Sequence, residues 1–186
     1  MGKIILIVSG GDLVGKSTFC RAALAAINDC GLPHMAAHLS RPPACFDYYG
    51  GYLEMIRPHV VYDRFHLDAL AYRKCDDHES SLTPLKYDLV DAAIREACGF
   101  IVLVTADEAT VRERHAQRGD DMYDIEHIVM VNSVFNQMAE DLDGTFVMRD
   151  MQFRYRIDAV VSDQSCWKDV IDAYVSRFEE WRELVG

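Results

Sequence analysis

Nine residues near the start constrain this chain more than any others: Gly10-Gly11-Asp12-Leu13-Val14-Gly15-Lys16-Ser17-Thr18. They fit the pattern G-x-x-x-x-G-K-[ST], in which glycines let backbone N–H groups turn inward around phosphate oxygens. The flanking sequence gives the pattern its weight. Lys3 to Ser9 is aliphatic and reads as a strand buried on both faces. Lys16 to Asp29 is alanine-rich and reads as a helix that stops near Gly31-Leu32-Pro33. Strand, glycine loop and helix N-terminus make an anion cradle, to which the helix dipole adds positive potential. The backbone of Gly10, Gly11, Val14, Gly15 and Thr18 is expected to line this cradle. Lys16 would reach the β- and γ-phosphates, and the Ser17 hydroxyl would sit on Mg²⁺.

Further strands follow at Phe100 to Thr105 and His59 to Tyr62, with weaker candidates at His34 to Leu39 and Asp158 to Val161. Between them lie helical patterns. Leu67 to Tyr72 starts a short helix, and Thr83-Pro84 opens one that runs to Cys98 and stops at Gly99. Asp107 to Arg118, Asp124 to Asp141 and Ser165 to Leu184 are three more. Strands alternating with helices imply a parallel sheet of five strands covered on both faces. Ligands in such folds bind beyond the carboxyl ends of the strands. There is no repeat, low-complexity segment or long linker, so residues 1–186 are expected to form one domain.

Composition narrows the function classes. Against 19 Lys+Arg stand 30 Asp+Glu, a formal net charge of −11 with no like-charge block. That argues against a duplex-DNA platform, which needs a dense basic face. No apolar run approaches a membrane span, and the N-terminal aliphatic stretch is too short for a signal peptide. Six scattered cysteines without a Cys-x-x-Cys read as small, mostly buried side chains in a reducing cytoplasm. The phosphate loop alone does not separate kinase, GTPase and motor. The absence of Asn-Lys-x-Asp lowers the weight of the GTPase reading, and the length leaves little room for a mechanical module.

A second constellation is Val60-Val61-Tyr62-Asp63-Arg64-Phe65-His66, an acid and a base at a strand's carboxyl end. If this strand neighbours the first, both groups lie beside the phosphate loop. A carboxylate there can hold Mg²⁺ or accept a proton, and a guanidinium can grip phosphate through two parallel hydrogen bonds. The plainer reading is a helix cap and a structural ion pair.

With these residues in view, the chain resembles the thymidylate kinase group of P-loop nucleoside monophosphate kinases, and more narrowly its small phage-type members. The resemblance rests on Asp12 within the loop, on Arg41-Pro42-Pro43, on Asp63-Arg64-Phe65 followed by Tyr72, and on Arg112 to Asp121. It runs from Met1 to about Met138. It implies a three-layer α/β/α P-loop NTPase fold with a mobile LID at about 112–124, and transfer of a phosphoryl group from ATP to a deoxynucleoside monophosphate. Asp12 would accept a hydrogen bond from the acceptor's 3′-hydroxyl, while Arg41 and Arg64 hold its phosphate and Tyr72 stands nearby. Lys16, Ser17 and Mg²⁺ would hold the donor, with Asp63 as a further metal ligand. A LID arginine, Arg112, Arg114 or Arg118, would close on the transferring group. Family members are often dimers, which makes a homodimer an expectation.

Two departures stand out. Leu13 occupies a position where some thymidylate kinases carry arginine, which throws the catalytic charge onto the LID. The stretch between Pro43 and Asp63 is shorter than in cellular thymidylate kinases and offers Phe46, Tyr48, Tyr49 and Tyr52. These rings either stack the acceptor base, with Phe46 and Tyr49 as the candidates, or pack the core. The base therefore stays open among thymine, cytosine and modified pyrimidines. The run Arg112 to Arg118 has its own plain alternative, a charged helix face, and His66 reads as structural. Two further readings compete: a P-loop kinase acting on a nucleoside or a hydroxymethylated base, including one in DNA, and a nucleotide-binding switch. Ser162 to Ser165 is the positional candidate for the adenine contact.

Overall fold

The computed structural model describes residues 4–40, 46–76, 82–118, 124–148 and 150–185. Its elements in chain order are β1 (Ile5–Ser9), α1 (Lys16–Asp29), β2 (Met35–His38), α2 (Tyr48–Met55), β3 (Val60–Asp63), α3 (His66–Asp76) and α4 (Pro84–Glu96). There follow β4 (Phe100–Val104), α5 (Glu108–Arg118), α6 (Ile125–Ala139), β5 (Thr145–Met148), β6 (Met151–Arg154), β7 (Ala159–Val161) and α7 (Trp167–Val185).

Five strands form one parallel sheet in the order β2-β3-β1-β4-β7. β1 is central and every one of its residues is buried. Its alternation sorts the core into two layers. Ile5 and Ile7 pack with Tyr62, Leu70, Tyr87, Val90 and Phe135 on one face. Leu6 and Val8 pack with Phe19, Ala23, Ile27, Tyr174 and Phe178 on the other. The expected three-layer α/β/α architecture follows from this period of two, with α1 and α7 under one face and α3, α4 and most of α6 over the other.

Two elements were not expected from the sequence. One is the antiparallel hairpin β5–β6, which packs Phe146 and Phe153 into the layer holding Tyr87. The other is α2, which opens with the Asp47 side chain accepting from the Tyr49 N–H at 3.2 Å. The helix expected from Leu67 to Tyr72 extends further, to Asp76.

The cysteines differ from expectation. Among those described only Cys20 is buried, while Cys30 is exposed and Cys75, Cys98 and Cys166 are half-buried, all as free thiols. Cys30 caps α1, Cys98 follows α4 and Cys166 precedes α7, and element ends sit at the surface. No helix among the described residues is long and apolar enough to cross a membrane.

Candidate active site

β1 pairs with β3 on one side and β4 on the other, so the loop after β1 emerges in the middle of the sheet's carboxyl edge. The connection after β1 runs toward β2 and the one after β4 toward β7, which puts the loop at the switch point of the topology. Gly10 has φ 146°, and a Cβ there would lie 2.3 Å from the Val104 carbonyl oxygen, so only glycine lets the loop leave β1 against β4. Gly15 precedes α1 with φ 103° and has no side chain to cap it, leaving the helix's first amides for a ligand.

Lys16 is 6% exposed and donates to the Gly11 carbonyl at 2.6 Å, folded back across the loop. Burial, and then repulsion from Arg64, push its ammonium below the usual lysine value, while Asp68, Asp12 and Asp63 pull the other way.

The register Val8↔Asp63 sets Asp63 beside the loop, and Arg64 closes the ladder by donating its N–H to the Val8 carbonyl at 2.9 Å. The adjacency that the sequence left conditional is therefore present. Asp63 Oδ2 accepts from the Ser17 hydroxyl at 2.8 Å and contacts His38 Nδ1 at 3.1 Å. Its Oδ1 is buried without a hydrogen-bond partner among the described residues. A carboxylate with one orphaned oxygen, adjoining a hydroxyl at the phosphate loop, is the donor set that a hard divalent cation takes. Ser17 and Asp63 thus fit Mg²⁺.

Arg64 Nη2 donates to Asp12 Oδ1, and Arg64 Nη1 donates to the Tyr72 hydroxyl at 2.6 Å. Tyr72 in turn donates to Asp12 Oδ2 at 2.9 Å, which closes a triangle. Burial alone would raise the Asp12 carboxyl. The charges of Arg64 and Lys16 and the Tyr72 and Arg64 hydrogen bonds outweigh it and hold Asp12 below its ordinary value. Burial likewise works against the Arg64 charge, yet Tyr72, Asp12 and Asp68 keep its pKa above the usual value.

From the opposite wall, Arg114 Nη1 donates to the Leu13 carbonyl at 2.8 Å, reaching the loop from α5. Arg118, one turn on, also lines the cleft. Arg112 points elsewhere. Its guanidinium grips both carboxylate oxygens of Glu126 at 2.7 and 3.0 Å and Glu108 at 2.7 Å. Of the three LID candidates the structure brings two to the cleft, and one of them, Arg114, to the loop itself. Arg41 and Gly119 to Asp121 lie outside the described residues.

The cleft measures about 1160 Å³, above the roughly 300–1,000 Å³ of pockets for one drug-sized ligand. Tyr48, Tyr52, Phe65, Ala69 and Tyr72 line it on the β3 side, and Thr110, Ser162, Gln164 and Trp167 on the β7 side. Phe46 and Tyr49 do not line it, contrary to expectation. Tyr48 and Tyr52 stand one helical turn apart and share the cleft face, whereas Tyr49 is rotated by about 100°. Phe46 packs edge-on against Tyr48 and Tyr52, with centroids 5.3 and 6.0 Å away.

Among the cleft and loop residues not singled out from the sequence, four bear on the site. His38 sits next to Asp63, and Trp167 lines the β7 side. Asp68 caps α3 by accepting from the Phe65 N–H at 3.1 Å, a relation that the three-residue spacing to Phe65 could have signalled. Asn132 donates to the Asp12 carbonyl at 3.0 Å from the buried stripe of α6, where one polar residue among Ile128, Val131 and Phe135 was the available signal.

Loop, sheet order and cleft define the class: an α/β P-loop fold on a five-stranded parallel sheet. No protein-family model matches the sequence, and no curated protein matches it. The solved structures it resembles include the YorR protein of Bacillus subtilis in complex with phosphorylated GDP. That likeness has TM-score 0.71 and 15% identity over 96% of this chain and 98% of that one. They also include polyphosphate kinase 2 of Arthrobacter aurescens TC1, at TM-score 0.61 and 13% identity over 95% of this chain and 67% of that one. At such identities the likeness is one of fold.

Proposed function

We propose that this chain is an ATP-dependent kinase of the thymidylate kinase-like group. It would phosphorylate a deoxynucleoside monophosphate, dTMP or a related or modified pyrimidine nucleotide, to the diphosphate. The observation that carries the reading is Arg64, held to Asp12 of the phosphate loop and to Tyr72 on the wall of one cleft large enough for two nucleotides. A loop that only hydrolyses or senses a nucleotide has no need of a second anion grip there.

The chemistry asks for alignment and positive charge more than for covalent steps. The loop amides and Lys16 would hold the donor's phosphates, and Lys16 would leave the Gly11 carbonyl to do so. Mg²⁺, held by Ser17 and Asp63, would neutralise charge on the donor phosphates. Arg64 would exchange part of its contact with Asp12 for the acceptor's phosphate, with Arg41 as its partner. That exchange would free Asp12 for the acceptor's 3′-hydroxyl. Tyr48, Tyr52 and Phe65 would form the apolar walls around the base, taking the place of Phe46 and Tyr49. Arg114 would move from the Leu13 carbonyl onto the transferring group, with Arg118 beside it, and the closed cleft would exclude water. Ser162, Gln164 and Trp167 would adjoin the donor base.

The deciding experiment measures ADP release from ATP and Mg²⁺ over a panel of nucleosides, monophosphates and hydroxymethylated DNA. Turnover with pyrimidine deoxynucleoside monophosphates supports the reading, as does loss of acceptor affinity with intact ATP binding in Arg64→Ala. Turnover only with a hydroxyl acceptor, or slow hydrolysis that no acceptor changes, overturns it.

A further inference from the structure

The strand register pairs His38 with Asp63 directly across β2 and β3, and the Leu39 N–H donates to the Asp63 carbonyl at 3.0 Å to lock that pairing. Side chains of residues paired in a parallel sheet project from the same face. His38 is thereby held beside the carboxylate by the sheet itself. Its side chain is 58% exposed and lines the cleft, and its Nδ1 meets the same oxygen, Asp63 Oδ2, that the Ser17 hydroxyl meets. An imidazole, a carboxylate and a hydroxyl therefore converge from β2, β3 and α1.

We propose that His38 is a protein ligand of the divalent cation at this site, alongside Asp63 and Ser17. Its nitrogen makes the site prefer a first-row transition ion such as Mn²⁺ or Co²⁺ over Mg²⁺. This rests on Ser17 and Asp63 being the cation site.

The spacing fits such an ion. Octahedral bonds of about 2.1 Å put adjacent donors roughly 3.0 Å apart. The Oδ2–Nδ1 and Oδ2–Oγ separations here are 3.1 and 2.8 Å. A cation among the three groups would take the place of the hydroxyl and imidazole hydrogen bonds to Oδ2, with the imidazole in the tautomer that carries its proton on Nε2. The remaining positions go to donor phosphate oxygens and water. Carboxylate, hydroxyl and phosphate oxygens alone suit Mg²⁺. An imidazole nitrogen adds a borderline-soft donor that Mg²⁺ uses poorly and that affinity along the first row rewards increasingly from Mn²⁺ to Co²⁺. Asp63 Oδ1, buried and without a hydrogen-bond partner among the described residues, gives the carboxylate a second point of attachment.

The test uses the full chain with ADP and reads metal binding without reading catalysis. Competition calorimetry gives the Co²⁺-to-Mg²⁺ affinity ratio for the natural protein, His38→Ala and His38→Asn. Asparagine still donates a hydrogen bond to Asp63 but is a poor ligand for these ions. The ratio is expected to fall at least tenfold in both variants, with Mg²⁺ affinity changed less than threefold. Electron spin echo modulation of the Mn²⁺–ADP complex is expected to show coupling to a histidine nitrogen. That coupling changes on ¹⁵N-histidine labelling and disappears in both variants.

Equal loss of Co²⁺ and Mg²⁺ affinity, a ratio restored by asparagine, or no histidine coupling overturns the proposal and leaves His38 as an orienting hydrogen-bond partner. A protein that passes this test and transfers no phosphoryl group leaves the ligand assignment standing and removes the kinase reading.

Discussion

Arg64 lies in the left-handed region at φ 77°, a conformation that costs a non-glycine residue about 1–2 kcal/mol. The residue keeps it because β3 must end at Asp63 while the guanidinium swings across to Asp12 and Tyr72. Backbone strain and side-chain contact can be separated. Arg64→Gly should unfold in urea at higher concentration than Arg64→Ala, by the equivalent of about 1 kcal/mol, because glycine carries no penalty there. Both should lose acceptor binding equally. Equal stability of the two variants would show that the backbone bears no strain.

Asp12 makes the complementary prediction. Its carboxyl is depressed below the ordinary 3.8 against the pull of burial, chiefly by the Arg64 and Lys16 charges. A depressed acid stabilises the fold above its unfolded-state value, and that contribution fades as pH falls through the folded value. Asp12→Asn should therefore be less stable than the natural chain at pH 6, by about 1–2 kcal/mol as for a lost charged hydrogen bond. The difference should close in urea titrations taken progressively below pH 3.8. A constant gap across that window would show that Asp12 acts through packing alone.

At the scale of elements, the phosphate loop depends on α6 as well as on its own glycines. A Cβ on Gly11 would sit 2.1 Å from Asn132 Oδ1, and Asn132 also ties the Asp12 carbonyl to α6. Gly11→Ala should displace that amide and weaken ATP binding at least tenfold. Adding Asn132→Ala should recover part of the loss by clearing the space, measured by calorimetric titration of ATP. Strictly additive losses would show that the two positions do not couple.

The five strands and most helices were legible in the sequence, β1, β3 and β4 as aliphatic runs and β2 and β7 more weakly. α2 was not, because Gly50 and Gly51 occupy its middle, where helix propensity is poorest. The fold wants at least one of them small: a Cβ on Gly51 would meet the Phe46 ring at 2.3 Å. The hairpin β5–β6 escaped notice because its strands are four residues each and the residues between them, Arg149-Asp150, carry no Asn-Gly or Gly-x turn signal. Asp12, Asp63, Arg64 and Tyr72 were legible as a group from motif order. Phe46 and Tyr49 were misplaced because ring orientation depends on a helix that the sequence hides. His38 depends on strand register, which no local pattern reveals.

The molecule as a whole carries a net charge of −11 yet gathers Lys16, Arg64, Arg114 and Arg118 around one cleft. Arg64 is held there by Asp12 and Tyr72, but burying the Lys16 ammonium costs stability that a polyanionic ligand returns. Lys16 shows the trade most directly. Burial and Arg64 depress its pKa, so at neutral pH the folded state holds this charge less readily than the unfolded chain does. That penalty is full below the depressed value and is relieved as pH rises from there toward the ordinary lysine value. A ligand that binds only the folded state stabilises it by about 2.7 kcal/mol at a hundred times its Kd. For a chain of this size that raises Tm by roughly 5–11 °C. The natural protein with ATP and Mg²⁺ should show a shift of that order in scanning calorimetry. Lys16→Met keeps the stem's bulk and removes the charge, so without ligand it should melt at or above the natural protein at pH 7, and at the same ATP concentration the shift should all but vanish. If it instead melts several degrees lower without ligand, the buried ammonium holds Asp12, Asp63 and Asp68 together in the empty cleft. Lys16 would then be a stabilising residue of the fold rather than a cost accepted for binding phosphate.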